Sequence, residues 1–254
     1  MDDAPTEPTP RLLSLVVPVH DEEENLGPLW AEIEALLEGL DLPAEVVFVN
    51  DGSADGSSAL LDGLMQADER VRVIDHPRNL GLTAALNTGF RCARGDVIGM
   101  LDADMQNPPA EIAKLLAALP GHDMAIGWRR DRHDSWLRKM QSRIANAYRN
   151  RRTFEQVHDV GCGLKVFRAE ILQHVKLFNG MHRFFPTLAR MEGYRITEVP
   201  VAHRPRAGGR SHFGIWNRLW KGLRDVKVVR WMWANHLPRT GTERHVTDRT
   251  RSRS

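Results

Sequence analysis

Leu101-Asp102-Ala103-Asp104-Met105-Gln106-Asn107-Pro108-Pro109 follows the short apolar run Val97 to Leu101 and sets two carboxylates one residue apart, ahead of two prolines. A run of that length bounded by turn residues reads as a buried strand, which places the acids in the turn at its carboxyl end. In open α/β sheets, ligands bind in the crevice beyond the carboxyl ends of the strands. Carboxylate oxygens there suit a hard divalent cation, Mg²⁺ or Mn²⁺, and a cation so held would grip a diphosphate. An Asp-x-Asp triplet arises easily by chance, so its neighbours decide its meaning.

Upstream, Leu12 to Val17 stops at Pro18 and Glu45 to Val49 stops at Asn50-Asp51-Gly52, which predicts two more buried strands feeding loops. Between them Leu26, Leu29, Trp30, Ile33, Leu36, Leu37 and Leu40 recur at helical spacing. Asp55-Gly56-Ser57 can start a helix carrying Leu60, Leu61, Leu64 and Met65; Val71 to Asp75 reads as strand and Leu82 to Ala93 as helix. Such alternation predicts an α/β fold: a mostly parallel, Rossmann-like sheet with helices on both faces. The pattern weakens after residue 127, where strands are expected at Leu164 to Phe167 and Ile196 to Val201 around a helix at Arg183 to Met191.

A chain of 254 residues suits one domain with a small appendage, and 42% apolar with 27% charged residues is ordinary for a globular protein. The net charge of +2 hides an asymmetry: His20 to Asn25 is acidic, whereas Trp128 to Arg152 carries nine Lys/Arg against two Asp. That asymmetry points to an anionic partner. The basic stretch is predicted to be helical from Ser135 onward. Cys92 and Cys162 lack metal-ligand spacing, so neither a disulfide framework nor a zinc site is expected, and a reducing cytosol fits. Met1 to Pro10 has no apolar core of a secretory signal, and no stretch reaches the ~20 apolar residues of a spanning helix. The expected organisation is a disordered tail over 1–11, a main domain over 12–205, a loop and amphipathic helix over 206–238, and a second disordered tail over 239–254.

Three loops after strands thus present acids: His20-Asp21-Glu22, Asn50-Asp51-Gly52-Ser53 and Asp102-Ala103-Asp104. In a parallel sheet they share one rim. Acids gathered there repel unless a cation or hydrogen-bond donors compensate, and a metal together with the N–H edge of a nucleobase accounts for all three. Taken singly, each is also explained as a helix cap or turn carboxylate.

In order along the chain, Pro18-Val19-His20-Asp21-Glu22-Glu23-Glu24-Asn25, Val49-Asn50-Asp51-Gly52-Ser53 with Asp55-Gly56, Asn79-Leu80-Gly81 with Ala84-Ala85 and Gly89, and Asp102-Ala103-Asp104-Met105-Gln106 with Pro108-Pro109 resemble the signature of family 2 glycosyltransferases of GT-A fold. The second half resembles the polyprenol-phosphate glycosyltransferases, the group of dolichol-phosphate mannose synthase and its bacterial undecaprenyl-phosphate relatives. Gly127 with Arg129-Arg130, Ser142-Arg143, Asp159 with Gly161-Cys162-Gly163-Leu164, His182-Arg183-Phe184, Glu198-Val199-Pro200-Val201 and Gly208-Gly209-Arg210-Ser211 carry that likeness. Asn50 and His212 depart from it, standing where members often have Asp and Lys.

The resemblance implies an inverting transfer of one sugar from a UDP- or GDP-sugar to polyprenyl phosphate, with Mg²⁺ or Mn²⁺, at the cytoplasmic face of the inner membrane. It assigns nucleotide-sugar binding to Pro18, His20, Glu22, Asp51, Asp102, Ala103 and Asp104, with Asp51 reading the base. It assigns the metal to Asp102, Asp104 and Gln106, and catalysis to Asp102, Asp104 and Arg129. The acceptor phosphate falls to Arg129, Arg143, Arg206, Arg210 and Ser211, with Arg130 and Arg204 as further cations. These roles suit the residue types, since carboxylate and amide oxygens bind hard cations and guanidinium forks match phosphate oxygens.

No histidine dyad or hydrolase motif marks a general base. An ionised phosphate acceptor needs none, whereas a hydroxyl acceptor would, with Asp159 the first suspect. Two rival readings therefore stand beside the first: transfer to a soluble saccharide or protein hydroxyl, and a noncatalytic nucleotide-sugar-binding partner of a membrane transferase. Nucleic acid is the poorest fit, because stacking residues are scarce in the basic stretch. From Ile215 onward, Trp216, Leu219, Trp220 and Leu223 fall on one helical face and Arg218, Lys221 and Arg224 on the other, which predicts a helix lying at a lipid surface, with a small integral membrane protein as a conceivable partner.

Overall fold

The computed structural model describes residues 10–129, 157–159, 161–204 and 215–237, and of residue 181 and residues 215–223 the backbone alone. Its strands are β1 (Leu13–Val19), β2 (Ala44–Asn50), β3 (Val71–Asp75), β4 (Val97–Met100), β5 (Met124–Trp128), β6 (Lys165–Arg168) and β7 (Ile196–Pro200). They form one sheet in the order β3-β2-β1-β4-β6-β5-β7. The first four strands pair in parallel, β6 runs antiparallel to both β4 and β5, and β7 is parallel to β5. The helices are α1 (Glu23–Glu38), α2 (Ser57–Ala67), α3 (Leu82–Cys92), α4 (Glu111–Ala117), α5 (Ile171–His174), α6 (Phe185–Met191) and α7 (Ile215–Ala234), with a 3₁₀ turn at Met181–Phe184. This is the expected α/β arrangement.

Side-chain alternation along β1 assigns the two faces. Leu13, Leu15 and Val17 pack with Leu29 and Ile33 of α1 and Ile112 of α4. Val16 faces the other way, with Val47 and Val49 of β2, Leu86 and Phe90 of α3, and Phe185 and Leu188 of α6. Phe90, Phe167 and Phe185 meet there with ring centroids 4.8 to 5.9 Å apart. Fully burying side chains of this size contributes about 1.5–3 kcal/mol each, which is what holds helices to both faces. The second half of α7 docks through buried Val226 and Val229 and through the Arg183–Asp225 pair at 3.5 Å.

Besides the unexpected helices α4 and α5 and the 3₁₀ turn ahead of α6, three departures from the sequence reading stand out. β1 continues through Pro18 to Val19, because β4 pairs only as far as Val16 and Met100, so the missing N–H of Pro18 faces no strand there. β5 is not marked in the sequence: its five residues include Gly127 and lead into Arg129. Arg11, assigned to the N-terminal tail, is tied to the sheet, its backbone N–H donating to the Asp96 carboxylate at 3.0 Å. The tails beyond residues 10–237 and the helix expected from Ser135 lie outside the described residues.

This topology builds one rim. β1, β2 and β4 are parallel neighbours, so the loops after Val19, Asn50 and Met100 lie side by side. β6, being reversed and paired Lys165 to Met100, brings its own start to the same rim.

Candidate functional site

Asp102 lies two residues past β4, where the antiparallel register puts Gly163 opposite it. The fit is close: a Cβ on Gly163 would stand 1.9 Å from Asp102 Oδ2. Burial and then the charge of Asp104 push the Asp102 carboxyl up to about 6, with Glu22 adding and Lys165 and Arg129 opposing. Asp104 Oδ1 accepts the backbone N–H of Gln106 at 3.2 Å, closing a turn in which Met105 takes φ +59°. A non-glycine residue in that region stores strain, a feature concentrated at functional sites. Gln106 is also held from the other side, its carbonyl accepting the N–H of Arg204 at 2.8 Å. Ala103 and Pro18 are buried beneath the rim.

These residues fit a divalent cation. The raised Asp102 carboxyl marks a buried acid with a second acid, Asp104, close by, and no group of three His, Cys, Asp or Glu that could hold a metal occurs among the described residues. Asp102 and Asp104 with the amide oxygen of Gln106 would leave coordination positions open, as Mg²⁺ and Mn²⁺ sites that use substrate phosphates and water require. The linkage sign follows. Asp102 titrates higher folded than unfolded, so the stability this group contributes is complete below the ordinary carboxylate pKa and is lost as pH rises through about 6, where the buried carboxylate ionises. A bound cation offsets that loss and competes with the proton. Mn²⁺ is therefore expected to raise the melting temperature by several degrees at about pH 7.5 and by little at about pH 5, as read by differential scanning fluorimetry. Equal shifts at both would contradict a role for Asp102.

Two cations that the sequence reading offered to the acceptor phosphate prove to be paired with acids. Arg129 grips Asp159 in a two-pronged pair, Nε to Oδ2 at 2.6 Å and Nη2 to Oδ1 at 2.9 Å, both side chains largely buried. Arg204 donates to Glu32 on α1 at 2.6 Å and so fastens the chain after β7 beside the Asp102–Gln106 turn. Asp159, the suspect base of the hydroxyl-acceptor reading, is occupied by Arg129. Arg130, Arg143, Arg206, Arg210 and Ser211 lie outside the described residues.

Sequence reasoning missed Lys165. It opens β6 at 3% exposure, donates from Nζ to the Cys162 carbonyl at 2.5 Å, and is the leading cationic influence on Asp102. Burial lowers its own pKa, with Cys162, Asp102 and Asp159 acting against that. The signal was a lysine inside the apolar run Leu164 to Phe167, where a charge needs a partner. Burial also pushes the Cys162 thiol up to about 11, which makes it inert.

At the β1–β2 end of the rim, Asp51 is 3% exposed and accepts three hydrogen bonds: His76 Nδ1 at 2.7 Å and Leu80 N at 2.9 Å on Oδ1, and Gly81 N at 2.8 Å on Oδ2. His76 in turn meets Thr88 Oγ1 through Nε2 at 2.9 Å. Gly52 adopts φ +65° against the backbone of Arg78 and Asn79, where a Cβ would come within 2.6 Å, so the loop needs glycine. His20 Nε2 accepts from Asn79 Nδ2 at 2.7 Å. Glu22 caps no backbone group with its side chain but accepts Asn25 Nδ2 at 2.5 Å. The rim thus gathers Pro18, His20, Glu22, Asp51, Asp102, Ala103 and Asp104, with the Asp102–Asp104 turn at one end and the donors that hold Asp51 at the other.

Comparison with known proteins gives the family and supports the fold. The family model described as glycosyl transferase family 2 matches residues 14–176. The dodecaprenyl-phosphate galacturonate synthase of Rhizobium johnstonii is 38% identical over 229 residues, 85% of this chain and 66% of that protein. The undecaprenyl-phosphate 4-deoxy-4-formamido-L-arabinose transferase of Aeromonas hydrophila is 37% identical over 208 residues, 81% of this chain and 64% of that one. The chain therefore spans just under two thirds of the length of these relatives. Among solved structures, glucosyl-3-phosphoglycerate synthase from Mycobacterium tuberculosis, in complex with uridine diphosphate, superposes with a TM-score of 0.63 at 18% identity, covering 90% of this chain and 82% of that one. A mannosyltransferase from Pyrobaculum calidifontis, in complex with GDP-Man and Mn²⁺, gives 0.57 at 21% identity, covering 92% and 65%.

Proposed function

The chain belongs to glycosyl transferase family 2, and from that membership we propose that it transfers a sugar from a nucleotide sugar to polyprenyl phosphate, with inversion, in building a cell-envelope glycan or lipid. The observation that carries the reading is the Asp102–Asp104 turn, which sets a buried acid next to a second one on the rim, oxygen donors suited to a divalent cation that would hold a diphosphate. Relatives named for transfer to dodecaprenyl and undecaprenyl phosphate support the acceptor.

Asp102, Asp104 and Gln106 would hold Mg²⁺ or Mn²⁺, which when bound neutralises charge on the departing nucleoside diphosphate. The remaining work belongs to the chain. Gly163 leaves the space in which Asp102 is aimed, and Lys165 offsets its charge from behind. Arg129, fixed by Asp159, keeps a cation at the same end of the rim, and Arg143, Arg206, Arg210 and Ser211 are the further groups proposed to receive the acceptor phosphate. A phosphate oxygen is already anionic near neutral pH, so attack needs no base. This agrees with the engagement of Asp159 by Arg129, and it disfavours a hydroxyl acceptor.

Among the described residues no helix is long and apolar enough to cross a membrane. The outward face of α7 carries Arg224, Lys227 and Arg230 beside Trp231, which is 67% exposed. A tryptophan among cations suits the headgroup layer, so we place the protein peripherally at the cytoplasmic face of the inner membrane, where a polyprenyl acceptor resides.

The test is release of nucleoside diphosphate from a panel of UDP- and GDP-sugars, with and without detergent-solubilised undecaprenyl phosphate, in Mg²⁺, Mn²⁺ or EDTA. Turnover should require both lipid phosphate and metal, and Asp104→Ala should lower it by about 10²-fold or more. Turnover indifferent to the lipid would return the soluble-acceptor reading, and binding of sugar nucleotide without turnover the noncatalytic one.

A further inference from the structure

We propose that the groove between α5, α6 and the end of α7 takes one acyl chain of an anionic phospholipid, with the headgroup at Lys176, so that the protein holds a lipid of the leaflet it lies on. The inference rests on the peripheral membrane placement proposed above. The groove measures about 390 Å³, within the range of small-molecule sites at about 300–1,000 Å³. Its apolar walls are Val175, Leu188, Met191, Trp231, Met232 and Leu237.

Most polar groups that border it are engaged within the protein. His174 Nδ1 meets the Tyr194 hydroxyl at 2.6 Å, Asn235 Nδ2 donates to the Trp231 carbonyl at 2.8 Å, and His236 Nδ1 stands 3.9 Å from Glu192 Oε1. Lys176 differs: it is exposed and pairs with no acid among the described residues. A groove whose polar borders are satisfied favours an apolar occupant, and a cation at its edge favours one that carries a negative charge.

Apolar groups left in water mark the opening, Trp231 being 67% and Leu237 86% exposed. Exposed apolar surface gathered beside a groove marks an interaction site, unlike the same residues scattered singly. Residues 238–254 are chemically unsuited to cover it, with five arginines and, of all large apolar side chains, Val246 alone. Along the second half of α7 the exposed charges are Arg224, Lys227 and Arg230, while Asp225 is buried against Arg183. That sign suits anionic lipid.

Topology separates the groove from the end of the molecule that receives the acceptor phosphate. β6 starts at the rim, so Val175 and Lys176, which come after α5, follow from its opposite end. β7 runs parallel to β5, and Met191 and Glu192 precede its start at that same opposite edge. A prenyl chain whose phosphate reached the Asp102–Asp104 turn would leave from the other edge of the sheet, which favours a bilayer phospholipid in the groove. α7 joins the two ends. Asp225 meets Arg183 of the 3₁₀ turn, whose His182 is bonded to Thr83 at the start of α3 at 2.6 Å, and Trp231 and Met232 reach the groove.

The experiment has two arms. Octanoyl and decanoyl lysophosphatidylglycerol, decanoyl lysophosphatidylcholine and geranyl phosphate, all below micelle-forming concentrations, are titrated calorimetrically into wild type, Met191→Trp and Lys176→Glu. Sedimentation measures binding of the same proteins to vesicles of phosphatidylcholine with phosphatidylglycerol, and self-association without lipid. In wild type the decanoyl glycerol lipid should bind about tenfold more tightly than the octanoyl one, two buried methylenes apart, a dependence that surface charge alone does not produce. It should bind about threefold more tightly than its choline counterpart, a preference that Lys176→Glu abolishes while keeping the chain-length ratio. Met191→Trp, which fills the groove, should lose that ratio. Vesicle binding with no chain-length ratio overturns the inference and leaves the membrane placement intact, and binding to neither overturns both. Lysolipid binding without vesicle binding overturns it too, assigning the groove to a soluble amphiphile. Geranyl phosphate bound more tightly than the decanoyl lipid makes the acceptor the occupant, and self-association that Met191→Trp abolishes makes it a second copy of the chain; either result overturns the inference. Should Met191→Trp not fold, the wild-type chain-length ratio and the Lys176→Glu headgroup preference decide.

Discussion

Gly163→Ala is expected to abolish metal-dependent turnover in a chain that still folds. The new Cβ would stand 1.9 Å from Asp102 Oδ2 and 2.5 Å from Cγ, distances no real pair of atoms sustains. Gly163 is not in the left-handed region, so its backbone accepts alanine without strain, and the three nearest atoms in the way all belong to the Asp102 carboxylate. That side chain has a rotatable bond and will turn aside. A displacement of about 1 Å in a reacting constellation costs on the order of 10²-fold in rate, and the displacement here exceeds that. Circular dichroism should match wild type, Mn²⁺ affinity should fall, and nucleoside diphosphate release should drop by about 10²-fold or more. Turnover within a few-fold of wild type would mean that Asp102 does not hold the metal.

The same glycine illustrates how far the sequence could be read. The Asp102–Asp104 turn was legible because every element of it is local: an apolar strand, two acids and two prolines within thirteen residues. The βα alternation of the first half was legible for the same reason, its periods being written in consecutive residues. What was not legible depends on pairs far apart in the chain. Gly163 matters only because β6 runs antiparallel beside β4, and a reversed strand inserted into a parallel run leaves no mark on its own composition. Lys165 reads as a blemish in an apolar strand until that pairing sets it beside Asp102. Asp51 shows the converse: its motif was visible, while the His76, Leu80 and Gly81 donors that occupy it come from 25 to 30 residues downstream. Arg129 likewise read as an open phosphate-holding cation, since nothing nearby in sequence discloses a partner 30 residues away.

That partner sets the second large effect, Asp159→Ala. Arg129 and Asp159 are 12% and 7% exposed and joined at two points, so removing the carboxylate leaves a nearly buried guanidinium without its counter-charge. Breaking one side of such a pair costs about 3–5 kcal/mol, which in a chain of this size lowers the melting temperature by on the order of 10 °C. Gly161 supports the arrangement, since a Cβ there would come within 3.1 Å of Arg129 Nη2. The double variant Arg129→Met with Asp159→Leu removes both charges and fills the space, and it should regain most of the lost stability. Turnover should not return with it, because a cation beside the Asp102–Asp104 turn has gone. A general base would behave in the opposite way. Asp159→Asn would then melt near wild type and lose turnover alone, with the acid limb of the pH profile abolished. Loss of stability and of rate together in the single variant, followed by recovery of stability alone in the double, assigns Asp159 to holding Arg129 and leaves the acceptor phosphate to attack unaided.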